Sequence, residues 1–324
     1  MITLGKALNH GLRRALEDDP KVVIMGEDVG KLGGVFRITD GLQKDFGEDR
    51  VIDTPLAEAG IVGTAVGLAI RGYRPVCEIQ FDGFVFPAYN QIVSQVAKMH
   101  YRSKGKVRLP IVIRIPFGGG IGAVEHHSES PEAYFAHTPG LKVVTCSNPA
   151  DAYTMIQQAI RSDDPVIFFE PKRRYWEKGE VDLSSAESSV PLHSARTVRA
   201  GTAATLLAYG PMVRVALDAA TAAAEDGREL EVIDLRSLSP IDYPVIFESV
   251  RRTGRAVVVH EAPGNVGLGA EIAARITEEC FYSLEAPVLR VTGYDTPYPA
   301  ARMEEEYLPD LDRVLDAVDR SFGW

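Results

Sequence analysis

Glu58 stands in the stretch DTPLAEAGIVGTAVGLAI (53–70), where almost every other residue is small or aliphatic. Two readings of that acid are open. In one, Asp53 or Thr54 caps a helix whose first position is Pro55, and Glu58 is a first-turn acid that suits the helix dipole. In the other, Ala57, Ala59, Gly60, Val62 and Gly63 allow tight packing all round the helix. The acid is then desolvated, which favours the neutral form and proton exchange with a ligand nitrogen. FDGFVFPAY (81–89) sets Phe81, Phe84, Phe86 and Tyr89 close together, as core or as a platform for a flat heterocycle. GGGIGAVEHHSESPEAYFAH (118–137) is the richest segment. Its glycines follow a strand pattern but match neither G-x-G-x-x-G nor a P-loop. His126 and His127 are neighbours, which predicts rings pointing apart rather than a helical metal pair.

Two further segments carry weaker signals. EAPGNVGLGAEIAARI (261–276) has glycines misplaced for a dinucleotide fingerprint, so a tight turn is expected. PKRRYWEK (171–178) reads as a solvated charged rim. The sequence contains no Cys/His metal spacing and no serine-hydrolase elbow.

The elements that must position these residues alternate. Strands are predicted over 22–28, 74–81, 109–116, 141–147 and 165–171, and helices over 56–71, 86–101 and 149–163. An amphipathic helix opens the chain, with Leu4, Ala7, Leu8, Leu12, Ala15 and Leu16 on one face. Residues 178–199 are polar and small. A second series follows, with strands in 203–210, 230–238, 255–262 and 287–295 and helices after Pro211, over 243–254, 269–281 and 310–322. Alternation of this kind implies parallel sheets covered by helices. The division is a first α/β domain over 1–180, a linker over 181–199 and a second α/β domain over 200–324.

The 324 residues can bury a large core, and 45% hydrophobic with 25% charged residues is an ordinary globular balance. A net charge of −10 without a basic block argues against nucleic acid or an anionic membrane as partner. No apolar run is long enough to span a bilayer, and the N-terminus lacks a signal peptide's apolar segment. Cys77, Cys146 and Cys280 are odd in number and unpaired by motif, which predicts free thiols in a reducing cytoplasm.

Taken together, GEDVG (26–30), GGVFRIT (33–39), DTPLAEAGIVG (53–63), EIQFDGFVFPAYNQIV (78–93), YRS (101–103), HHSESPEAYFAHTPGLKVV (126–144), FFEPKRRY (168–175) and GYDTPYP (293–299) carry a resemblance. The chain resembles the β subunit of the thiamine-diphosphate-dependent decarboxylating component of 2-oxo acid dehydrogenase complexes, from about residue 2 to the end. The resemblance implies a transketolase-like fold, with an N-terminal pyrimidine-binding parallel-sheet domain and a C-terminal α/β domain. It implies an α₂β₂ heterotetramer whose α subunit holds the cofactor's diphosphate through Mg²⁺. This chain contains neither Gly-Asp-Gly nor Asn-Asn, the α-type diphosphate motif, so it is expected to hold half a cofactor.

On this resemblance Glu58 contacts the pyrimidine ring nitrogen, Phe84 lies beside the ring and Leu56 touches the cofactor through its backbone. Phe84 stands where relatives often have Tyr, so the hydroxyl is absent. His127 matches an active-site histidine near the 2-oxo acid and the incoming lipoyl group, and His126 is its variable neighbour. A structural potassium is implied on backbone carbonyls of Leu109, Ile111, Val112, Ala159, Ser162 and Asp164. The animal pattern has Asp and Asn where this chain has Ser162 and Asp164. SPEAYFAH and FFEPKRRY look closer to branched-chain than to pyruvate enzymes, with a pyruvate or acetoin dehydrogenase β subunit as the alternative. The implied partners are the α subunit and a lipoyl-bearing dihydrolipoyl acyltransferase core, with the acids of MEEEYLPDLD (303–312) facing its basic docking domain. The rival readings are a single-chain transketolase-like enzyme, a non-catalytic assembly subunit and a flavodoxin-like nucleotide binder.

Overall fold

A computed structural model describes residues 1–185 and 190–324. The expected linker 181–199 therefore falls partly outside the described residues, at 186–189.

The first sheet runs, edge to edge, through Ser237–Ser239, Lys142–Thr145, Val166–Pro171, Val112–Phe117, Arg74–Glu78, Val22–Gly26 and Val51–Asp53. All of its pairings are parallel except that of Ser237–Ser239, which belongs to the second half of the chain. The second sheet runs Leu289–Gly293, Ala256–Pro263, Ala204–Ala208, Leu230–Asp234 and Arg196–Arg199, the last antiparallel. The central strands are buried along their length, as parallel strands covered on both faces must be.

The helices Leu4–Asp18 and Pro149–Arg161 pack together on one face of the first sheet. Gly11 makes this possible, because a Cβ there would lie 2.8 Å from the Tyr153 carbonyl oxygen. The opposite face shares one core with the second domain: Met25, Ile79, Phe117 and Phe169 cluster with Leu207, Tyr209, Ile233 and Val258. That common core decides where the site can sit, since it fixes the second domain against the carboxyl ends of the first sheet.

Three expectations are corrected. The run 230–238 is two strands that enter different sheets, with Arg236 between them at φ 55°. Residues 86–101 are not one α-helix: a 3₁₀ segment Asp82–Ala88 containing Pro87 leads into a π-helical segment Gln91–Val96 and a short α-turn Met99–Arg102. The helix in 56–71 starts only at Glu58, ends at Ile70, and is not packed on all sides. Ile61, Val62, Ala65 and Ala69 are buried, while Ala59, Gly60, Gly67 and Ile70 face outward. No atom lies within 4 Å of where a Cβ would be on Gly63 or Gly67. One face of the helix is thus made of small residues that nothing else among the described residues covers.

Candidate functional site

Four parallel strands end at the same edge, the usual place for α/β sites. Val22–Gly26 delivers Glu27, Val51–Asp53 delivers Glu58 five residues beyond its end, Arg74–Glu78 delivers Phe81 to Phe84, and Val112–Phe117 delivers the glycine loop and the histidines. Beneath them, Arg114 braces three strands. Its guanidinium donates to Glu78 Oε2 at 2.5 Å and to both oxygens of Glu170 at 2.6 and 2.9 Å, all of it buried.

Glu58 is buried, at 7% exposure. The capping reading fails: the Asp53 carboxylate accepts from the Gly30 N–H at 2.6 Å, the buried Thr54 hydroxyl has no partner, and the residue before the helix is Ala57, without a side-chain cap. Glu27, which the sequence reading missed, accepts from the Ala57 N–H. Burial raises its pKa, and the negative charge of Glu58 raises it further. Its Oε1 is buried with no hydrogen-bond partner. An acid directly after a buried parallel strand was the signal for Glu27.

Leu56 projects outward at 80% exposure. Phe84 is half-buried, with its ring 5.2 Å from that of His127 and nearly perpendicular to it, and 6.1 Å from that of His126. His126 is exposed and His127 half-buried. The two rings do not point apart: a 3₁₀ turn over Glu125–His127 brings their centroids to 4.3 Å. Gly83 allows it, since a Cβ there would collide with the His126 carbonyl. The structure therefore gathers Glu58 with Glu27, and Phe84 with both histidines, at one sheet edge.

The neighbouring segments differ from their sequence readings. The rim 171–178 is not uniformly solvated: Lys172 is fully buried and ion-paired with buried Asp82. Burial raises the Asp82 pKa to about 6, against the pull of Lys172, and lowers that of Lys172. The loop 118–122 is filled by protein carboxylates: Glu261 accepts from the Gly119 N–H, and Glu304 from Gly120 at 2.8 Å and Gly122 at 3.0 Å. The N–H groups of Gly118, Gly119, Gly120 and Gly122 are thus already taken by protein oxygens rather than turned to a phosphate. Glu304 is consequently buried, unlike exposed Glu305 and Glu306, and cannot face a docking partner.

The expected potassium ligands lie apart from this site, between the 149–161 helix and the strands. The Ala159 carbonyl accepts from Ser162 N–H at 3.2 Å, Ser162 from Arg74 at 3.0 Å and Asp164 from the Ser162 hydroxyl at 3.0 Å. Leu109 and Ile111 carbonyls accept from the N–H groups of Ile111 and Val166, at 2.8 and 2.9 Å, and Val112 pairs between Val76 and Val166. Each carbonyl retains a second lone pair, while the Arg74 guanidinium already brings positive charge to the turn. The three cysteines are free and buried, and no helix among the described residues is long and apolar enough to cross a membrane.

Family comparison agrees with this architecture. Residues 1–177 match the transketolase pyrimidine binding domain and residues 193–314 the transketolase C-terminal domain. The chain is 66% identical over 319 residues to the pyruvate dehydrogenase E1 component subunit beta of Leifsonia xyli, covering 98% of this chain and 94% of that protein. It is 54% identical over 320 residues to the 3-methyl-2-oxobutanoate dehydrogenase subunit beta of Mycobacterium tuberculosis, covering 98% and 91%. A split-gene transketolase solved as an inactive β₄ tetramer superposes with a TM-score of 0.82 at 23% identity, covering 99% and 98%, a likeness of fold alone. With a transketolase-like parallel-sheet domain leading and a C-terminal α/β domain following, the chain belongs to the family of 2-oxo acid dehydrogenase E1 beta subunits.

Proposed function

We propose that the chain is the β half of a 2-oxo acid dehydrogenase decarboxylating component, working as an α₂β₂ heterotetramer that acylates the lipoyl group of an acyltransferase core. One observation carries the reading. The buried acid Glu58, with Glu27 beside it, stands at the amino end of a helix whose other side, Ala59, Gly60, Gly63 and Gly67, is covered by nothing among the described residues. That is half of a site. The absence of Gly-Asp-Gly and Asn-Asn from the sequence supports a reading in which the α subunit holds the diphosphate and its Mg²⁺.

Thiamine diphosphate, when bound, supplies the carbon nucleophile and the electron sink for decarboxylation. The residues of this chain bind and move protons. Glu58 meets the pyrimidine ring nitrogen and passes a proton across that contact, with Glu27 behind it as the neighbouring carboxyl. Phe84 offers a ring edge or face to the pyrimidine, and the backbone at Leu56 closes one side. His127 faces the 2-oxo acid and the lipoyl arm, with His126 at the rim.

Glu58→Gln in the assembled enzyme is expected to lower turnover by about two orders of magnitude or more, while the tetramer persists in gel filtration. Turnover within twofold of wild type removes Glu58 from the chemistry. Thiamine diphosphate binding and activity are expected only when the α chain is present, and activity of this chain alone overturns the half-site reading.

For the substrate, SPEAYFAH and FFEPKRRY favour branched-chain 2-oxo acids. A pyruvate reading also has an observation behind it, because the 66% identical relative is named for pyruvate dehydrogenase. Decarboxylation of pyruvate, 2-oxobutyrate and the three branched-chain acids by the reconstituted enzyme separates the two. Docking of the acyltransferase's basic domain falls to exposed Glu305 and Glu306, and Lys substitutions there are expected to weaken it most at low salt. Potassium is proposed on the carbonyls around Ala159, Ser162 and Asp164, and equal melting temperatures in KCl and NaCl reject it. The buried free thiols suit a cytoplasmic setting.

A further inference from the structure

The Phe81 ring is half-buried and belongs to none of the hydrophobic clusters on either side of the sheet. Its face lies against His127, with ring centroids 4.0 Å apart and planes within 9° of parallel. The Lys172 ammonium also lies over the Phe81 ring, 5.6 Å from its centroid. Lys172 is held by Asp82, the residue after Phe81, and Asp82 Oδ2 accepts from the Glu129 N–H at 2.8 Å. Adjacent residues thus grip the histidine loop at two points, by its imidazole and by its backbone two residues on. A fully buried Asp–Lys pair brings little stability compared with apolar residues of the same volume, so its value lies in where it holds its neighbours.

The imidazole has little freedom left. Phe81 covers one face and the Phe84 ring stands at 83° to it, 5.2 Å away. Nδ1 lies 2.9 Å from the His126 carbonyl oxygen, which can only accept, so Nδ1 is the donor there and Nε2 is the ring nitrogen that this contact leaves available. We infer that Phe81, backed by the Asp82–Lys172 pair, is a positioning residue that fixes the ring plane of His127 and the direction of its Nε2. The kinetic side of this inference rests on the proposed role of His127; the geometric side does not.

The test uses the reconstituted holoenzyme carrying Phe81→Leu, which keeps apolar bulk and loses the flat face, and Phe81→Tyr, which restores it. The geometric readout is the rate at which diethyl pyrocarbonate modifies His127, followed by peptide mass spectrometry. A change of at least fivefold in Phe81→Leu, reversed in Phe81→Tyr, is expected, with melting temperatures unchanged. An unchanged modification rate overturns the inference, as does a change that appears only with loss of the tetramer. The kinetic readout is kcat and KM for reductive acylation of a lipoyl domain in Phe81→Leu, His127→Ala and the double variant. Phe81→Leu is expected to lower kcat about tenfold with little change in KM, and to add less than twofold to His127→Ala. Full additivity overturns positioning through His127. A wild-type rate for His127→Ala alongside an altered modification rate strikes at the role of His127 and leaves the geometry of Phe81 standing.

Discussion

The two glycine-rich loops, 118–122 in the first domain and 264–269 in the second, have the same local grammar. Each follows a buried parallel strand, and each resembles a phosphate cradle in composition. Both are already occupied by side chains, but from different sources. The 118–122 loop takes carboxylates from the other domain, Glu261 and Glu304, and Tyr298 donates to Glu304 at 2.6 Å to complete the clasp. The 264–269 loop is closed from within its own domain: His260 Nε2 accepts from the Gly269 N–H at 3.2 Å and its Nδ1–H donates to the Ala262 carbonyl at 3.0 Å, while Asp295 accepts from the Asn265 N–H at 2.8 Å. Gly267 and Gly269 are needed for contact, since a Cβ would lie 2.9 Å from His260 Cε1 or 2.6 Å from Nε2. One loop is an inter-domain clasp on the segment that leads to His127, and the other is a self-contained helix start. A glycine-rich loop after a strand therefore says only that backbone comes close to something.

Breaking the clasp has the largest expected effect. Glu304→Ala strips the acceptor from two backbone N–H groups and the Tyr298 hydroxyl, each worth about 1.5–3 kcal/mol when the partner is charged. A fall of roughly 10 °C in melting temperature is expected by calorimetry, together with loss of lipoyl acylation through disorder of the histidine loop. Retention of both shows that the carboxylate is dispensable.

Breaking the self-contained loop acts more locally. Gly269→Ala is expected to destabilise the protein by about 1–3 kcal/mol in chemical denaturation while kcat is preserved. His260→Ala should relieve part of that cost, because the added methyl then meets no imidazole. Additive losses would place the strain elsewhere.

The smallest effects separate the two regions by pH. Burial lowers the pKa of His260 to about 4 from its ordinary 6.5, so the unfolded chain binds more protons between those values. Its contribution is complete above pH 6.5 and is lost as pH falls towards 4. On the clasp side, Glu132 is buried beside Glu261 and accepts from the Tyr209 hydroxyl at 2.5 Å. Burial raises its pKa to about 8 from 4.5, so its contribution is complete below pH 4.5 and is lost as pH rises through 8. Glu132→Gln is therefore expected to flatten the alkaline limb of the stability curve, and His260→Gln the acid limb. Unchanged limbs in thermal melts across pH 4–9 reject these assignments.

Much of the fold was legible because buried parallel strands are short apolar runs and their helices carry a 3.6-residue period. The run 230–238 was misread because its apolar pattern continues through Arg236, where a left-handed backbone sends the chain into another sheet. Segment 86–101 was misread because apolar residues recurring every three or four positions suit short 3₁₀ and π turns as well as an α-helix, and only the backbone hydrogen bonds tell them apart. At the site, Glu58 and His127 stood out as polar residues in unusual company. Lys172 and Glu304 did not, because each sits in a charged run that a solvated surface would also produce.

By itself the sequence determined most of the strands and helices, that Glu58 stands among small and aliphatic neighbours in the chain, and that no diphosphate motif accompanies it. These are local properties, set by side-chain period and composition. Only the tertiary structure decided that Glu27 stands beside Glu58, that Phe81 faces His127, that the glycine loop is filled by acids from the other domain, and that one face of the 58–70 helix is left open. Those facts depend on contacts between residues far apart in the chain, and such contacts are decided by how the two sheets pack across their common core.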